Sequence, residues 1–395
     1  MLEKEIQDIV SAHNILDVVE KCTHLNKKDE NFYIGVCPFH PQRTPSFLVN
    51  SEMQEFHCLE CGRRGNLFNF VYECKKQNID DTMHFFNKHI QKNKDSVIYK
   101  IYTETAKYYY ENMKTEKDKK TYKYFKNRGF SDKTINHFGL GYSKYEGLYS
   151  HLSKLGFEKE QILNSGLCRQ NEKGVYDFFR NRAMIPIIDK DGRICAFGGR
   201  TMGEDNRKYI NSSEHDVFFK GSTLFAFNFA KKSFREGLIC CEGYMDVIAM
   251  HQAGFNNAVA SLGTAFTNEH AQLIRSHTDK VWLAYDNDEA GIKATIKNIQ
   301  ILRTVGIEAK IINLSPYKDP DELIKSAGST EYEKRLKNAK DGIFFEIDIL
   351  FSNCKEEKSF KEEVTKLLLP HIKSINDMDK YVGYVNSLIK TGGMK

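Results

Sequence analysis

From Gly237 onward, short apolar runs alternate with longer periodic stretches. Leu238-Ile239-Cys240-Cys241, Ala258-Val259-Ala260, Val281-Trp282-Leu283-Ala284-Tyr285 and Ala309-Lys310-Ile311-Ile312 read as strands covered on both faces. Between them, Met245 to Gln252, Asn268 to Arg275 and Ala290 to Val305 read as helices, the second capped by Thr267 or Asn268. Strands alternating with helices predict a parallel sheet with helices on both sides. Upstream the pattern is more broken. Ile6 to Lys21 is helix-like, and Phe32-Tyr33-Ile34 is a short aromatic strand within a Cys/His-rich stretch. Residues 92–126 look helical and polar, as a connector would. Met184-Ile185-Pro186-Ile187-Ile188 reads as a strand entering the turn Asp189-Lys190-Asp191-Gly192. Glu331 to Lys395 reads as charged amphipathic helices, and there are no internal repeats.

Composition narrows the classes. A chain of 395 residues that is 41% hydrophobic predicts two or three domains. There is no apolar run of membrane-spanning length, and the first residues, MLEKEIQDIV, lack a signal-peptide core. The expectation is a cytoplasmic protein with no membrane partner. Ten cysteines in that setting are reduced, so paired cysteines point to metal before disulfide. The net charge of +5 matters only through clustering. From Gln91 to Phe130 there are eleven Lys/Arg against five Asp/Glu, with seven tyrosines interleaved. Taken alone, that stretch reads as a solvated helix face. From Arg169 to Arg235 the balance is thirteen to eight, and short acidic motifs follow. Basic surface followed by convergent carboxylates suits a metal-dependent enzyme acting on a polyanion.

Cys37-Pro38-Phe39-His40 and Cys58-Leu59-Glu60-Cys61 each hold two metal-ligand residues three positions apart, with seventeen residues between the halves. Each half can turn as a knuckle with backbone amides directed at sulfur, and together they close a tetrahedron. Four protein ligands, Cys37, His40, Cys58 and Cys61, predict one structural zinc with no open position. His57 is a rival to His40, but its neighbour Cys58 turns it elsewhere. Phe39, Phe47 and Phe56 read mainly as the small unit's core, with nucleic-acid contact falling to Arg43, Arg63 and Arg64. The remaining cysteines read as packing residues.

Glu242 directly follows one predicted strand, Asp286 and Asp288 another, and Asp319 and Asp321 the region of a third. In an open parallel sheet these positions line the crevice at the carboxyl ends of the strands. Five carboxylates there repel unless cations bridge them. Hard oxygen donors point to two or more Mg2+ or Mn2+ ions. Gly243 permits a tight turn after the glutamate.

At these residues the sequence resembles the bacterial DnaG-type primases, from about Leu2 to about Ser326. The zinc-ribbon likeness lies in Val36-Cys37-Pro38-Phe39-His40, Thr44-Pro45-Ser46-Phe47, Phe56-His57-Cys58, Cys61-Gly62 and Gly65-Asn66. The polymerase core is similar at Phe179 to Ile187, Phe197-Gly198-Gly199-Arg200, Lys208-Tyr209-Ile210-Asn211-Ser212 and Phe219-Lys220-Gly221. Glu242 to Val247, Ala260 to Thr264, Tyr285-Asp286-Asn287-Asp288 and Asp319-Pro320-Asp321 resemble the Toprim domain of primases and topoisomerases.

The resemblance implies an α+β multidomain chain: a zinc ribbon, a mixed α/β primase core with a Toprim-type parallel α/β metal domain, and a short helical tail. The expected divisions are 1–90 for the zinc ribbon that binds template, 91–127 for a helical linker, and 128–235 for the basic part of the core. The Toprim unit takes 236–326 and the tail 327–395. Glu242, Asp286 and Asp288 are the implied catalytic residues and, with Asp319 and Asp321, the implied magnesium ligands. Arg182, Arg200, Lys208, Asn211 and Lys220 are the implied lining for nucleotide and template. The implied function is a nucleotidyltransferase, a DNA-directed RNA polymerase. It makes short RNA primers from ribonucleoside triphosphates on single-stranded DNA at the replication fork, leaving an RNA–DNA hybrid. A replicative helicase is the family's usual partner, although its C-terminal docking domain is expected to be absent. A topoisomerase- or nuclease-like Toprim enzyme and a non-catalytic single-stranded DNA-binding paralogue are the alternatives. A topoisomerase needs a catalytic tyrosine domain, for which little sequence follows Asp321.

Overall fold

Alternation of inward and outward side chains organises the first unit. In β4 (Glu55–Cys58), Phe56 and Cys58 are buried while Glu55 and His57 are exposed. The computed structural model describes residues 14–20, 22–40, 44–75, 97–116, 119–263, 265–370 and 375–392. Strand β4 belongs to an antiparallel sheet of order β1-β2-β3-β4-β5, with β1 Leu25–Lys27, β2 Phe32–Gly35, β3 Phe47–Asn50 and β5 Arg64–Asn66. Phe39, Phe47, Phe56 and Phe70, the last from helix Leu67–Lys75, pack ring against ring at 5.3–5.9 Å. The phenylalanines are therefore this unit's core. Of the helix expected over Ile6 to Lys21, Ile15–Val19 is helical; Lys21 and everything before Asn14 lie outside the described residues.

The stretch read as a polar connector is instead part of the core. Helix Val97–Thr115 buries Tyr99, Ile101, Tyr102, Thr105, Tyr109, Asn112 and Met113. These positions recur at helical spacing, so the tyrosines form a buried stripe while the lysines occupy the wet face. The buried hydroxyl of Tyr102 donates to the Ser165 carbonyl at 2.9 Å, which allows a polar ring tip inside. The helix lies against an antiparallel sheet of order β11-β10-β9-β6, built from β6 (Gly141–Ser143), β9 (Arg182–Ile188), β10 (Ile194–Thr201) and β11 (Tyr209–Asn211). A separate hairpin joins β7 (Cys168–Asn171) to β8 (Gly174–Asp177).

The second half follows the expected alternation closely. Strands β12 (Leu238–Cys241), β13 (Ala258–Ala260), β14 (Val281–Ala284) and β15 (Lys310–Ile311) run parallel in the order β13-β12-β14-β15. Helices Tyr244–Gln252, Asn268–Arg275 and Glu289–Thr304 connect them. A short strand, β16 (Lys340–Asp341), adds to β15 in the antiparallel sense, and Phe225 bridges Ala260 at the opposite edge. The C-terminal helices Gly342–Asn353, Glu357–Leu368 and Ile375–Gly392 enclose their own small core of Ile343, Ile347, Phe360, Val364, Leu368 and Val385. Arg303 joins this bundle to the sheet domain through Glu346 at 2.8 Å.

Glycines decide how closely the site's parts approach. A Cβ on Gly198 would sit 2.9 Å from the Tyr244 ring, so the bare backbone of β10 receives the first turn of the helix after β12. A Cβ on Gly291 would sit 2.0 Å from the Asp286 carbonyl oxygen, so helix Glu289–Thr304 begins directly against the backbone that carries Asp286. Gly291→Ala is therefore expected to lower unfolding stability by about 1–3 kcal/mol through overpacking. Urea unfolding measures it, and a loss below a few tenths would show that the loop yields freely.

Candidate functional site

The Cys/His half-sites meet as expected. The N–H of Phe39 donates to Cys37 Sγ and that of Cys61 to Cys58 Sγ, each at 3.5 Å. Cys37 Sγ and Cys61 Sγ are 3.9 Å apart, near the ~3.8 Å edge of a tetrahedron with Zn–S bonds of about 2.3 Å. Donor atoms of Cys37, His40, Cys58 and Cys61 all lie within 4.8 Å of one another, the single such grouping among the described residues. His40 Nε2 faces the Glu60 carboxylate at 3.5 Å, which leaves Nδ1 as the nitrogen shielded from solvent. A carboxylate on the outer nitrogen fixes the ring for metal on the inner one. Burial, and then the Cys58 sulfur, push the Cys37 thiol up. The Cys58 thiol is held down despite its own burial by the Cys61 N–H and the Ser46 hydroxyl. One depressed thiol among three crowded sulfurs, with one imidazole, fits a cation that prefers sulfur and nitrogen. His57 is exposed on the other face of β4 and takes no part. Arg63, expected on the nucleic-acid face, instead binds the Phe39 carbonyl at 3.2 Å and Glu73 at 3.1 Å beside the sulfurs. Arg64 is exposed, and Arg43 lies outside the described residues.

The second site lies at the carboxyl edge of the parallel sheet. Glu242 follows β12, Asp286 lies two residues past β14, and Asp319 and Asp321 begin helix Pro320–Lys337 after β15. These strands are neighbours in the order β12-β14-β15, so their loops are offset by roughly 4.8 Å per strand. The Asn287 N–H donates to the Lys318 carbonyl at 2.7 Å and ties two acidic loops together. Asp288 Oδ1 accepts the Gly291 N–H at 2.9 Å, and Asp319 Oδ1 accepts the Glu322 N–H at 2.7 Å. Both aspartates are therefore helix N-caps, each with a second oxygen uncommitted to the cap. Three helices start here, the last of them broken at Gly328, and their positive dipole ends favour anions.

Even so, the negative charge is not compensated. Burial, then Glu242 and Asp319, push the Asp286 carboxyl up to about 6, against the opposing pull of Lys318. Burial, then Asp319, Asp286 and Asp321, push Asp246 up to about 8. Asp246 is thus a sixth member of the cluster. Its signal was its spacing, four residues after Glu242 and in the first turn of the following helix. Asp321, expected as a metal ligand, is 4% exposed and pairs with Lys325 at 2.5 Å and Arg128 at 3.4 Å through Oδ2. Its Oδ1 is buried and lacks a hydrogen-bond partner. An orphaned buried oxygen, raised carboxyls and all-oxygen donors fit hard divalent cations.

The expected basic lining divides. Lys208 is exposed at the start of β11, and Lys220 is half-buried with its carbonyl held by His270 Nε2 at 2.9 Å. The Arg200 guanidinium stacks on Tyr124 at 4.2 Å, and both Arg200 and Arg128 lie within electrostatic reach of Tyr209. These side chains lead from the antiparallel sheet toward Asp321. Arg182 does not join them. It is 1% exposed and holds the Gly199 and Arg207 carbonyls at 2.9 and 3.2 Å while pairing with Asp205. It supports the turn before Lys208 from below. Asn211 donates to the Leu262 carbonyl at 2.7 Å and accepts from the Tyr244 hydroxyl at 2.6 Å, joining the basic and acidic halves. Thr264 lies outside the described residues.

Known families partition the chain in the same sequence. Residues 1–99 match the CHC2 zinc finger, 108–231 the DNA primase catalytic core N-terminal domain, and 239–324 a Toprim-like domain. The zinc-binding and RNA polymerase domains of the Aquifex aeolicus primase share 31% identity over 98% of this chain and 97% of that one, with a TM-score of 0.64. The chain belongs to the DnaG-type primase family. A DNA primase of Clostridium acetobutylicum is 36% identical over 394 residues, which cover 95% of this chain and 65% of that protein. The RNA polymerase domain of Mycobacterium tuberculosis DnaG covers 74% of this chain at 26% identity and a TM-score of 0.67. The chain spans 59–67% of the length of the curated primases it matches. Among the described residues, no helix is long and apolar enough to cross a membrane.

Two measurements probe these centres. Cys58→Ser is expected to abolish stoichiometric metal and unfold the unit around β1–β5, because structural zinc contributes on the order of 10 kcal/mol to such small units. Elemental analysis with amide exchange reads both effects, and equal zinc in variant and parent would refute the ligand set. The second concerns pH. Asp286 and Asp246 titrate higher folded than unfolded, so the stability they contribute is full below about pH 4 and is lost as pH rises through about 6 and then 8. A divalent cation binds the ionised forms. Added Mg2+ is therefore expected to raise the melting temperature more at pH 8 than at pH 5.5. An equal shift at both values would mean that these carboxyls do not meet the ion.

Proposed function

We propose that the chain is a DNA-directed RNA polymerase that makes short RNA primers on single-stranded DNA from ribonucleoside triphosphates. The observation that carries this is the under-neutralised carboxylate edge, fastened by Tyr244, Asn211 and Leu262 to a sheet that bears Arg200 and Lys208. Glu242, Asp246, Asp286, Asp288 and Asp319 would hold two or more Mg2+ or Mn2+ ions, and Asp321 would border them. Bound there, such ions supply Lewis acidity to the attacking 3′-hydroxyl and charge neutralisation to the departing pyrophosphate. The protein's own part is placement. Lys208 and Lys220 meet phosphate as point charges, and Arg200 offers a fork held against the face of Tyr124. Glu242, just past the end of β12, is exposed, as is Asp288, and both carboxylates are open to solvent. Joining two free nucleotides is chiefly a problem of orientation.

Zinc at Cys37, His40, Cys58 and Cys61 is structural in this reading, since all four positions are protein ligands. Single-stranded DNA is the expected template; a related DnaG catalytic domain, 32% identical over 69% of this chain, has been solved bound to it. The RNA–DNA hybrid is the product, formed in the cytoplasm at the fork. The matched relatives are named as primases, and no feature of the site favours the topoisomerase- or nuclease-like alternative.

The test is primer synthesis on single-stranded DNA with four ribonucleotides and Mg2+. Asp286→Ala is expected to reduce primer yield by at least a hundredfold while single-stranded DNA affinity changes less than about threefold, since the basic sheet is untouched. A yield within a few-fold of the parent would remove Asp286 from the reaction.

A further inference from the structure

Among the described residues, three cations approach the carboxylate edge, and they do so in two different ways. Arg128 and Lys325 converge on Asp321, which is buried, and Lys325 does so from one helical turn away at 2.5 Å. Lys325 and Arg128 reach water, at 42% and 32% side-chain exposure, but the carboxylate they share is only 6% exposed, so parting them strands a buried charge. Lys318 differs in each respect. Its ammonium stands 3.6 Å from Asp286 Oδ2, at salt-bridge range but too long for a direct hydrogen bond, and its side chain is 62% exposed. An exposed pair of this kind is weak and readily exchanged. Its backbone, however, is pinned: the Lys318 carbonyl accepts the Asn287 N–H, and its N–H donates to Glu322 Oε2 at 2.6 Å. The stem therefore starts from a fixed point between the Asp286 loop and the Asp319 turn, and its charge acts on Asp286 first and on Asp288 and Asp319 as well.

We propose that Lys318 is a tethered place-holder cation, occupying the mouth of the carboxylate centre through Asp286 and displaced when a divalent ion enters. The assignment rests on the reading of these carboxylates as a divalent-metal centre. The centre gathers more negative charge than helix N-termini and the two fixed cations offset. A single mobile ammonium reduces that repulsion without closing the site. A doubly charged ion outcompetes it for Asp286, and the long lysine stem carries the displaced charge outward into water at little cost. The consequence is a threshold, since the divalent ion has to overcome a resident positive charge and binds less tightly than the bare carboxylates would allow.

The experiment is titration with Mn2+ alone, without nucleotide or DNA, reading free Mn2+ by its paramagnetic resonance in the zinc-loaded 395-residue chain. Lys318→Gln is expected to tighten the first Mn2+ site roughly three- to tenfold at low ionic strength, with the gain shrinking as salt rises. Lys318→Arg keeps the charge and is expected to stay within about twofold of the parent. Lys293→Gln removes an equal charge, but from a lysine paired with Glu289 at 2.6 Å, and is expected to leave the affinity unchanged. Equal affinity in Lys318→Gln and parent overturns the proposal, as does weaker binding, which would make Lys318 a support for the ligand loop. Equal tightening by Lys293→Gln also overturns it, because net charge would then account for the effect. If the parent itself binds no more Mn2+ than Asp286→Asn does, it is the metal-centre reading that fails.

Discussion

Unneutralised negative charge is the constraint around which the second half of this molecule is built. Six carboxylates are brought to one edge of a parallel sheet, and neither burial nor spacing relieves them. Water would screen the charges if the loops were free to splay. They are not free, because the Glu242 and Asp286 loops run from buried strands directly into helices, the Lys318 carbonyl ties the Asp319 loop to Asn287, and two of the acids cap helices. The backbone thus imposes a repulsion that only cations remove. Stability is given up at the site and recovered in the sheet and the clusters that flank it, as strain at functional centres generally requires.

The same edge depends on contacts between segments far apart in the chain. Gly198 clears room for Tyr244, whose hydroxyl reaches Asn211, whose amide reaches Leu262. Four short motifs become one joint. Their glycines and polar groups serve the fit between the two halves as much as any ligand. A shift of an ångström at this joint would move Arg200 and Lys208 relative to the carboxylates, a displacement that positioning chemistry tolerates poorly.

Much of this was legible in the sequence, and the gaps have physical causes. The strands and helices after Gly237 were readable because buried parallel strands leave uninterrupted apolar runs. The half-sites were readable because a knuckle permits only a few spacings. Helix Val97–Thr115 was misread since its inward face is tyrosine, which looks polar by composition yet buries its ring. Arg182 was misassigned because an arginine buried under two carbonyls and an aspartate is rare, and nothing local announces it. The partnership of Arg128 with Asp321 spans 193 residues and leaves no mark in either neighbourhood. Asp246 lies within the stretch Glu242 to Val247, and only the helical turn after Glu242 brings it to the other acids.

The parallel sheet has one further property. Strand β16 seals one margin and the Phe225–Ala260 bridge covers the other, so the hydrogen-bonding groups along both outer strands already have partners where they meet. An open margin would invite a strand from a second chain and with it self-association. Partial cover on both outer strands narrows that route. A macromolecule that joins this domain therefore meets chiefly side chains on its faces and rim rather than a long run of free strand backbone.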